Sequence, residues 1–354
     1  MSWKQALDRQ RKKTDGGTVR QVMPSFAAQP GSEKAARGKR RRSGSDLSRF
    51  TLLGVLVLTI VVFSIALPQS FPTTGNFSAI LLSQAVTLIL SMGLLVALRS
   101  GDFDLSIAAT MNFSAAILAV LTVDHHVSLG LAIVVALGVS ALIGVANAVL
   151  IVGAGLNAFV MTLGMQTLLY GLTYGVTSTA VIVNIPHALV SFTSWSIGPI
   201  PGSAVYGWII AIIIWYAFER LPIGRYLQFI GGNREAAQLL GLPVARIRAG
   251  AFIVCALLAG FAGIVLAGTL GAVDPSAGPQ YLLPPYAGAF LGTVAIQVGR
   301  FNVLGTVIGT YLLVTGVTGL ELAGAPSWIS DVFNGGALIG AIVVARLFGQ
   351  RGDS

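Results

Sequence analysis

Long uncharged stretches alternate with short clusters of Pro, Gly and charge along most of this chain. Residues 51–98 contain no Asp, Glu, Lys, Arg or His, a run about twice the roughly 20 apolar residues that cross a bilayer core. Pro68, Pro72 and Gly75 interrupt it, so it divides into two helices joined by a turn. Carried to the C-terminus, the same reading predicts ten apolar helices, at 51–67, 77–98, 105–122, 128–152, 157–180, 205–219, 250–272, 284–298, 303–321 and 328–347. The third, sixth and eighth are short, and the third starts beside Asp102 and Asp104. Glycines fall inside these segments, among them Gly260, Gly263, Gly305 and Gly309. In water they would weaken helices, but in lipid small residues let backbones approach closely. The predicted class is all-α, a polytopic membrane protein of about ten transmembrane helices.

Composition agrees. Hydrophobic residues make up 55% of the 354 and charged residues 10%, against about a quarter charged in soluble domains. Mean hydropathy is +0.81. The net charge of +9 raises a nucleic-acid reading, which its location removes. Residues 1–50 hold 13 Lys and Arg against 4 Asp and Glu, and the rest of the chain holds nine of each. No aromatic interleaving or groove-reading motif accompanies the basic run Arg37–Arg42, so nucleic acid is not an expected partner. Residues 1–50 lack an apolar signal-peptide core and read as a basic, disordered cytoplasmic tail able to touch anionic lipid headgroups. The only cysteine, Cys255, lies in an apolar stretch and makes no intrachain disulfide.

Charge placement orients the segments. With the tail cytoplasmic, ten crossings return the C-terminus to the cytoplasm, and the external segments are about 68–76, 123–127, 181–204, 273–283 and 322–327. None contains Lys or Arg. Arg99, Arg220, Arg225, Arg234, Arg246, Arg248, Arg300, Arg346 and Arg351 all fall at cytoplasmic ends, as the positive-inside rule requires. The expected organisation is the tail at 1–50, a transmembrane domain at 51–347 with a cytoplasmic loop at 220–249, and a short cytoplasmic C-terminus at 348–354.

That loop carries the most informative pattern, Gly231-Gly-Asn-Arg-Glu-Ala-Ala-Gln-Leu-Leu-Gly241-Leu-Pro243. Asn233 is an N-cap and Glu235 suits the first turn of a helix. Gly241 takes the left-handed closing position, with Pro243 beyond it. A helix of about two turns is predicted, too short to stand alone, with Ala236, Leu239 and Leu240 available for one apolar face. It is either an interfacial helix on the inner leaflet or a knob for a partner protein. Asp102 and Asp104 sit at the mouth of the third segment, where Arg99 is a candidate partner for Asp102. Gln84, Asn112, Asn147, Asn157, Gln166 and Tyr170 are polar positions within segments; they bond across helices or line a polar solute path. His125 and His126 share a short external loop and read as solvated. Residues 181–204, with Trp195 and three prolines, form an ordered external surface or a protein-docking platform. Asn157, Gly164, Gly171 and Thr173 repeat the spacing of Asn302, Gly309, Gly316 and Thr318, a faint internal echo. No Walker A pattern, zinc-helix motif or nucleophile elbow is present, so neither ATP hydrolysis by this chain nor a metal site is expected.

Glu235-Ala-Ala followed by Gly241 resembles the EAA–G motif of ABC-importer membrane subunits, which seats a cytoplasmic helix in a groove of the ATPase. The surroundings resemble the ribose/xylose/arabinose-type permease family: Gly224-Arg-Tyr leading to Ile230-Gly-Gly-Asn, Leu257-Leu-Ala-Gly-Phe-Ala-Gly263, and Asp274-Pro-Ser-Ala-Gly278. Gly101-Asp-Phe-Asp-Leu-Ser106 is similar to that family's Gly-Gly-Ile-Asp-Leu-Ser signature, which places Gly101, Asp102, Asp104, Leu105 and Ser106 in it. Phe159–Met165 with Gly171 resembles its fifth-span pattern. Departures are Ile107-Ala108 where the family has Val-Gly, Val298–Asn302 in the turn before the ninth segment, and Pro284-Pro285. The resemblance implies a type II ABC-importer-like fold in a bacterial cytoplasmic (inner) membrane and a sugar or sugar-like solute. It assigns ATPase coupling to Asn233, Glu235, Ala236, Ala237, Leu239, Leu240 and Gly241. It implies no cofactor in this chain, with ATP and Mg held by partner ATPase subunits, and as further partners an extracytoplasmic solute-binding protein and a second permease subunit. A permease for branched-chain amino acids or nucleosides is the alternative. An ion-coupled transporter would need midplane carboxylates, which the segments lack.

Overall fold

A backbone removed from water must satisfy its N–H and C=O groups within itself, and the uncharged runs accordingly fold as helices. The computed structural model describes residues 50–349, with side chains to Val343. The expectations for the basic tail and for the residues after Gly349 lie outside that range. In chain order the helices are α1 (Thr51–Ala66), α2 (Thr74–Arg99), α3 (Ile107–Ala119, continued by a π turn at Val120–Asp124), α4 (Leu129–Ala148, continued by a π turn at Val149–Gly153) and α5 (Ala158–Val176). Then come β1 (Ile182–Val183), α6 (His187–Ser194), the hairpin β2 (Ser196–Ile197) and β3 (Ile200–Pro201), and α7 (Gly202–Arg220). The last part contains α8 (Pro222–Gly232), α9 (Arg234–Leu239), α10 (Val244–Leu270), β4 (Ala272–Val273), a 3₁₀ turn at Gly278–Tyr281, α11 (Leu283–Gly292), α12 (Val303–Leu322) and α13 (Ile329–Gly349).

Among the described residues, six helices are long and apolar enough to cross a membrane: α2, α3 with its π turn, α4 with its π turn, α7, α10 and α12. The apolar helices α1 and α13 are shorter over the described residues. The 19 residues of α5 include Gln166, two tyrosines and three threonines, which thin its apolar character.

The centre of the molecule is α2, α3 and α10. The second half of α2, Ala85–Arg99, is buried on every side, as expected of a helix apolar all round. α10 packs against α2, α3 and α4, and its glycines make this possible. A Cβ on Gly263 would strike the Met111 carbonyl of α3, and one on Gly260 would strike Ser140 of α4. α4 answers with a single buried stripe, Ala132, Ala136, Ser140, Ile143, Gly144 and Asn147, while Leu131, Val134 and Leu142 on its other face are exposed. At the far end of α10, β4 pairs antiparallel with β1, Ile182 opposite Val273.

The eighth predicted segment, 284–298, is shortened. α11 stops at Gly292 after ten residues, about 15 Å or half a bilayer core. Pro284 and Pro285 fit its first turn, where a missing N–H removes no helical bond. Asn302 explains the stop. Its buried Nδ2 donates to the carbonyls of Gly292 (2.9 Å) and Ala295 (3.1 Å), while its Oδ1 caps α12 by accepting from Gly305 N (2.7 Å). Asn157 caps α5 in the same way, accepting from Val160 N (3.2 Å), so the echo between the two stretches begins on a shared cap.

Charges separate along the bundle. Arg99, Arg220, Arg225, Arg234, Arg246, Arg248 and Arg300 lie at the end formed by the C-termini of α2 and α7, by α8 and α9, and by the start of α10. The opposite end holds Asp124, Asp274, Glu321 and Asp331 and, among the described residues, no Lys or Arg.

Candidate coupling site

Local chemistry builds α9. Asn233 is extended, and its Oδ1 accepts from Ala236 N (2.9 Å), with Glu235 in the first turn. Gly241 (φ +77°) closes the helix, and Leu242 N donates back to the Ala237 carbonyl (3.1 Å), the left-handed stop that glycine alone adopts at low cost. Six residues cannot hold a helix by themselves. Ala237 anchors it, buried against Ile230 of α8 and Val244 of α10. The other side faces outward: Glu235 and Ala236 are exposed, Leu239 is 90% exposed and Leu240 71%. Beside it lies a cleft of about 510 Å³ lined by Phe229, Asn233, Ala236, Leu240 and Arg300. Two bare leucines on a short capped knob leave an apolar surface uncovered.

The first residue of α9 ties the knob to the core. Arg234 Nη2 donates to the Gly101 carbonyl (2.9 Å) and to Asp102 Oδ1 (2.7 Å). Arg248 of α10 forks the same carboxylate, Nε to Oδ2 and Nη2 to Oδ1, both at 2.8 Å. Asp102 is only 2% exposed, so two guanidinium groups replace the water it has lost. Gly101 has φ +79°, and its Cα side packs against Gly231 at the end of α8. No residue with a side chain fits that turn without strain.

The turn continues inward. Asp104, also buried, accepts from Ser106 N (3.0 Å) and from Ser106 Oγ. Ser106 Oγ in turn accepts from Asn147 Nδ2 of α4 (2.9 Å), and Leu105 N donates to Thr162 Oγ1 of α5 (3.0 Å). Phe103 stacks with Tyr286 and Phe290 of α11, ring centroids 6.4 Å apart in each pair. Residues 101–106 therefore bond or pack to α9, α10, α4, α5 and α11. One turn thus joins α9 to four other helices.

Arg99 is not the partner of Asp102. Gly101 reverses the chain between them, and the Arg99 guanidinium lies over the Phe218 ring, 4.3 Å from its centroid. Its neighbourhood includes Gln228, whose carboxamide oxygen, turned toward Arg300, accepts from Nε (2.9 Å) and Nη1 (3.0 Å). α8 is a helix within the segment expected to be a cytoplasmic loop. Pro222 at its start and the spacing of the buried Leu227 and Ile230 were its signals. The arginine partners of Asp102 lie 132 and 146 positions away, and no local pattern points to them.

The six polar positions considered for a solute path do not form one line. Asn147 holds Ser106, and Asn157 caps α5. Asn112 Nδ2 donates to the Pro275 carbonyl (2.8 Å), fastening α3 to the turn after α10. Gln166 Nε2 bonds Tyr170 Oη (3.3 Å), and the Tyr170 ring fills the space beside Gly278. Gln84 alone lines a large cavity, of about 680 Å³, between α2, α11, α12 and α13.

Known proteins give an independent line. The family described as "Branched-chain amino acid transport system / permease component" matches residues 76–342. The chain is 29% identical over 298 residues to the ribose import permease protein of Escherichia coli (strain K12), covering 83% of this chain and 92% of the relative. It is 27% identical over 296 residues to the D-allose transport system permease protein of the same strain, covering 84% and 91%. Identity to the L-arabinose ABC transporter permease protein of Azospirillum brasilense is 28% over 337 residues, covering 91% and 95%. No solved structure matches the chain.

Proposed function

The chain belongs to the family of branched-chain amino acid transport system permease components, and we propose that it is the membrane subunit of an ATP-driven importer for a sugar or sugar-like solute. The observation that carries this reading is the exposed, capped α9 bonded through Arg234 to the buried Asp102 turn. Such a knob is a coupling helix: a cytoplasmic ATPase grips Glu235, Ala236, Leu239 and Leu240, and its closure on ATP and Mg moves α9. Arg234 passes the motion to residues 101–106, and from there to α4, α5, α10 and α11. The remaining parts follow from the charge separation. The arginine end faces the cytoplasm of a bacterium, ten segments cross its inner membrane, with the half-length α11 completed by the turn at 293–302, and both chain termini stay inside. A solute-binding protein delivers cargo at the opposite end, and a second permease subunit completes the path. The relatives named for ribose, allose and arabinose support a sugar. The family description favours a branched-chain amino acid as the second reading.

The test is uptake of labelled D-ribose, D-allose, L-arabinose and L-leucine by cells carrying the chain with its ATPase and binding protein. Glu235→Arg and Leu239→Asp are expected to abolish uptake and co-purification of the ATPase while leaving membrane insertion intact, since both side chains are exposed. Gly241→Pro acts through the backbone, because proline cannot adopt φ +77°. Normal uptake by Glu235→Arg and Leu239→Asp together would remove α9 from the coupling role.

A further inference from the structure

The cavity that Gln84 lines opens at the acidic end of the bundle, beside Glu321, Ser327 and Trp328. It reaches inward along α2 as far as Thr87 and along α12 as far as Thr310. Thr87 is 13 residues from the start of the 26-residue α2, about 20 Å down a helix of about 39 Å, which places it near the middle of the membrane. There the cavity ends. The α2 residues beyond Thr87 are buried, Gly288 of α11 presses on Thr310, and one layer lower Asn302 knots the end of α11 to the start of α12. A half-length helix flanking a blind polar cavity is the arrangement in which transporters hold their solutes.

Its lining chemistry selects among solutes. The side chains of Gln84, Gln280 and Asn334 make no hydrogen bond to another described residue, so their amides are available as paired donors and acceptors. Trp328 is 59% exposed at the mouth and offers an aromatic face. Glu321 and Asp331 put two carboxylates at the same mouth, and among the described residues no Lys, Arg or His lines the cavity. The volume of about 680 Å³ lies within the roughly 300–1,000 Å³ of small-molecule sites. Carboxylates accept hydrogen bonds from ring hydroxyls and amides both accept and donate them, while the unopposed negative charge repels anions.

We infer that this cavity within the single chain is the entry site for the solute, that it takes a neutral polyhydroxylated molecule, and that it turns away anionic sugars. The inference rests on the importer reading above and adds to it the place and charge of the cargo.

The chain suits thiol chemistry as a test, because Cys255, its only cysteine, is fully buried. Gln84→Cys and Asn334→Cys would each be expressed with the ATPase and binding protein, then treated from outside with a membrane-impermeant methanethiosulfonate. Both variants are expected to label where the parent chain does not, and to lose uptake relative to their own untreated cells. D-Ribose, D-allose or L-arabinose should slow the labelling, whereas D-galacturonate should not. Glu321→Gln with Asp331→Asn should let D-galacturonate protect as well. Absence of labelling in both variants, unchanged uptake after labelling, or equal protection by D-galacturonate in the parent cavity would overturn the inference. Loss of uptake in Glu235→Arg alongside unchanged uptake in labelled Gln84→Cys would overturn the cavity assignment alone and leave the importer reading standing. Retained uptake in the exposed α9 variants would strike the importer reading itself.

Discussion

Asp102 joins two arginines of different standing, and substituting it separates stability from coupling. In Asp102→Asn the side chain keeps its shape but loses its charge. Arg248 is 13% exposed and forks the carboxylate with two bonds of 2.8 Å. Leaving such a buried cation without its partner costs about 3–5 kcal/mol. Arg234, at 41% exposed, rehydrates when released, so its share of stability is about 1 kcal/mol or less. Asp102→Asn and Arg248→Met are therefore expected to lower the midpoint of denaturant unfolding in detergent substantially, and Arg234→Ala hardly at all. Transport sorts the variants differently. Arg234→Ala cuts the one polar link between α9 and the Asp102 turn, so ATP hydrolysis should continue while uptake per ATP collapses. A cycle of Arg234→Ala, Asp102→Asn and the double variant, scored on uptake per ATP in proteoliposomes, should be strongly non-additive. Arg234→Ala importing at the parental ratio of solute to ATP would refute the linkage, and so would fully additive losses.

Two packing features make further predictions. Gly263→Leu would drive a side chain into the Met111 carbonyl, and because backbone cannot yield as a side chain does, the cost should exceed the usual ~1–3 kcal/mol of overpacking. Loss of the monodisperse peak after mild heating in detergent checks it, with Gly250→Leu, where a Cβ meets nothing within 4 Å, as the tolerated control. Asn302→Ala leaves the Gly292 and Ala295 carbonyls only their backbone donors, Ala295 N and Gln297 N, and leaves Gly305 N without its cap, at about 1–3 kcal/mol for that one unpaired group. A thermal midpoint equal to that of the parent would show that the turn below α11 does not depend on this amide.

Much of this architecture could be read from the chain because apolar blocks and breakers act locally. The cap at Asn233, the left-handed Gly241 and the outward Leu239 and Leu240 all follow from residues within one turn of one another. Ala237 shows the limit. Its burial depends on Ile230 and Val244 meeting beneath it, which spacing alone does not reveal. α8 was missed for a related reason: an amphipathic helix of 11 residues lies below the length at which an apolar block stands out. α11 was read too long because Val294, Ala295 and Ile296 continue the hydrophobic pattern after the helix has ended. What ends it is a distant amide, Asn302. The Asp102 site was the least legible, since charge near charge in sequence suggested Arg99. The true partners arrive from α9 and α10 once a glycine has turned the chain away.

The separation of charge between the two ends has a consequence for how the chain is held in an energised membrane. Among residues 50–343 the arginine end carries seven arginines against Asp102, Asp104, Glu219 and Glu235, and the far end carries four carboxylates and no arginine. With the arginine end inside, as proposed above, turning the molecule over would carry three net positive charges outward and four negative charges inward. Each is opposed by a potential negative inside, at about 2.3 kcal/mol per charge per 100 mV, or roughly 16 kcal/mol altogether. The resting potential thus acts on the whole protein as a field acts on a dipole, favouring one of its two insertions by more than the total stability of many folded domains. Cells that lose their potential while making the protein lose that bias, whereas molecules already packed around Asp102 keep the orientation they have.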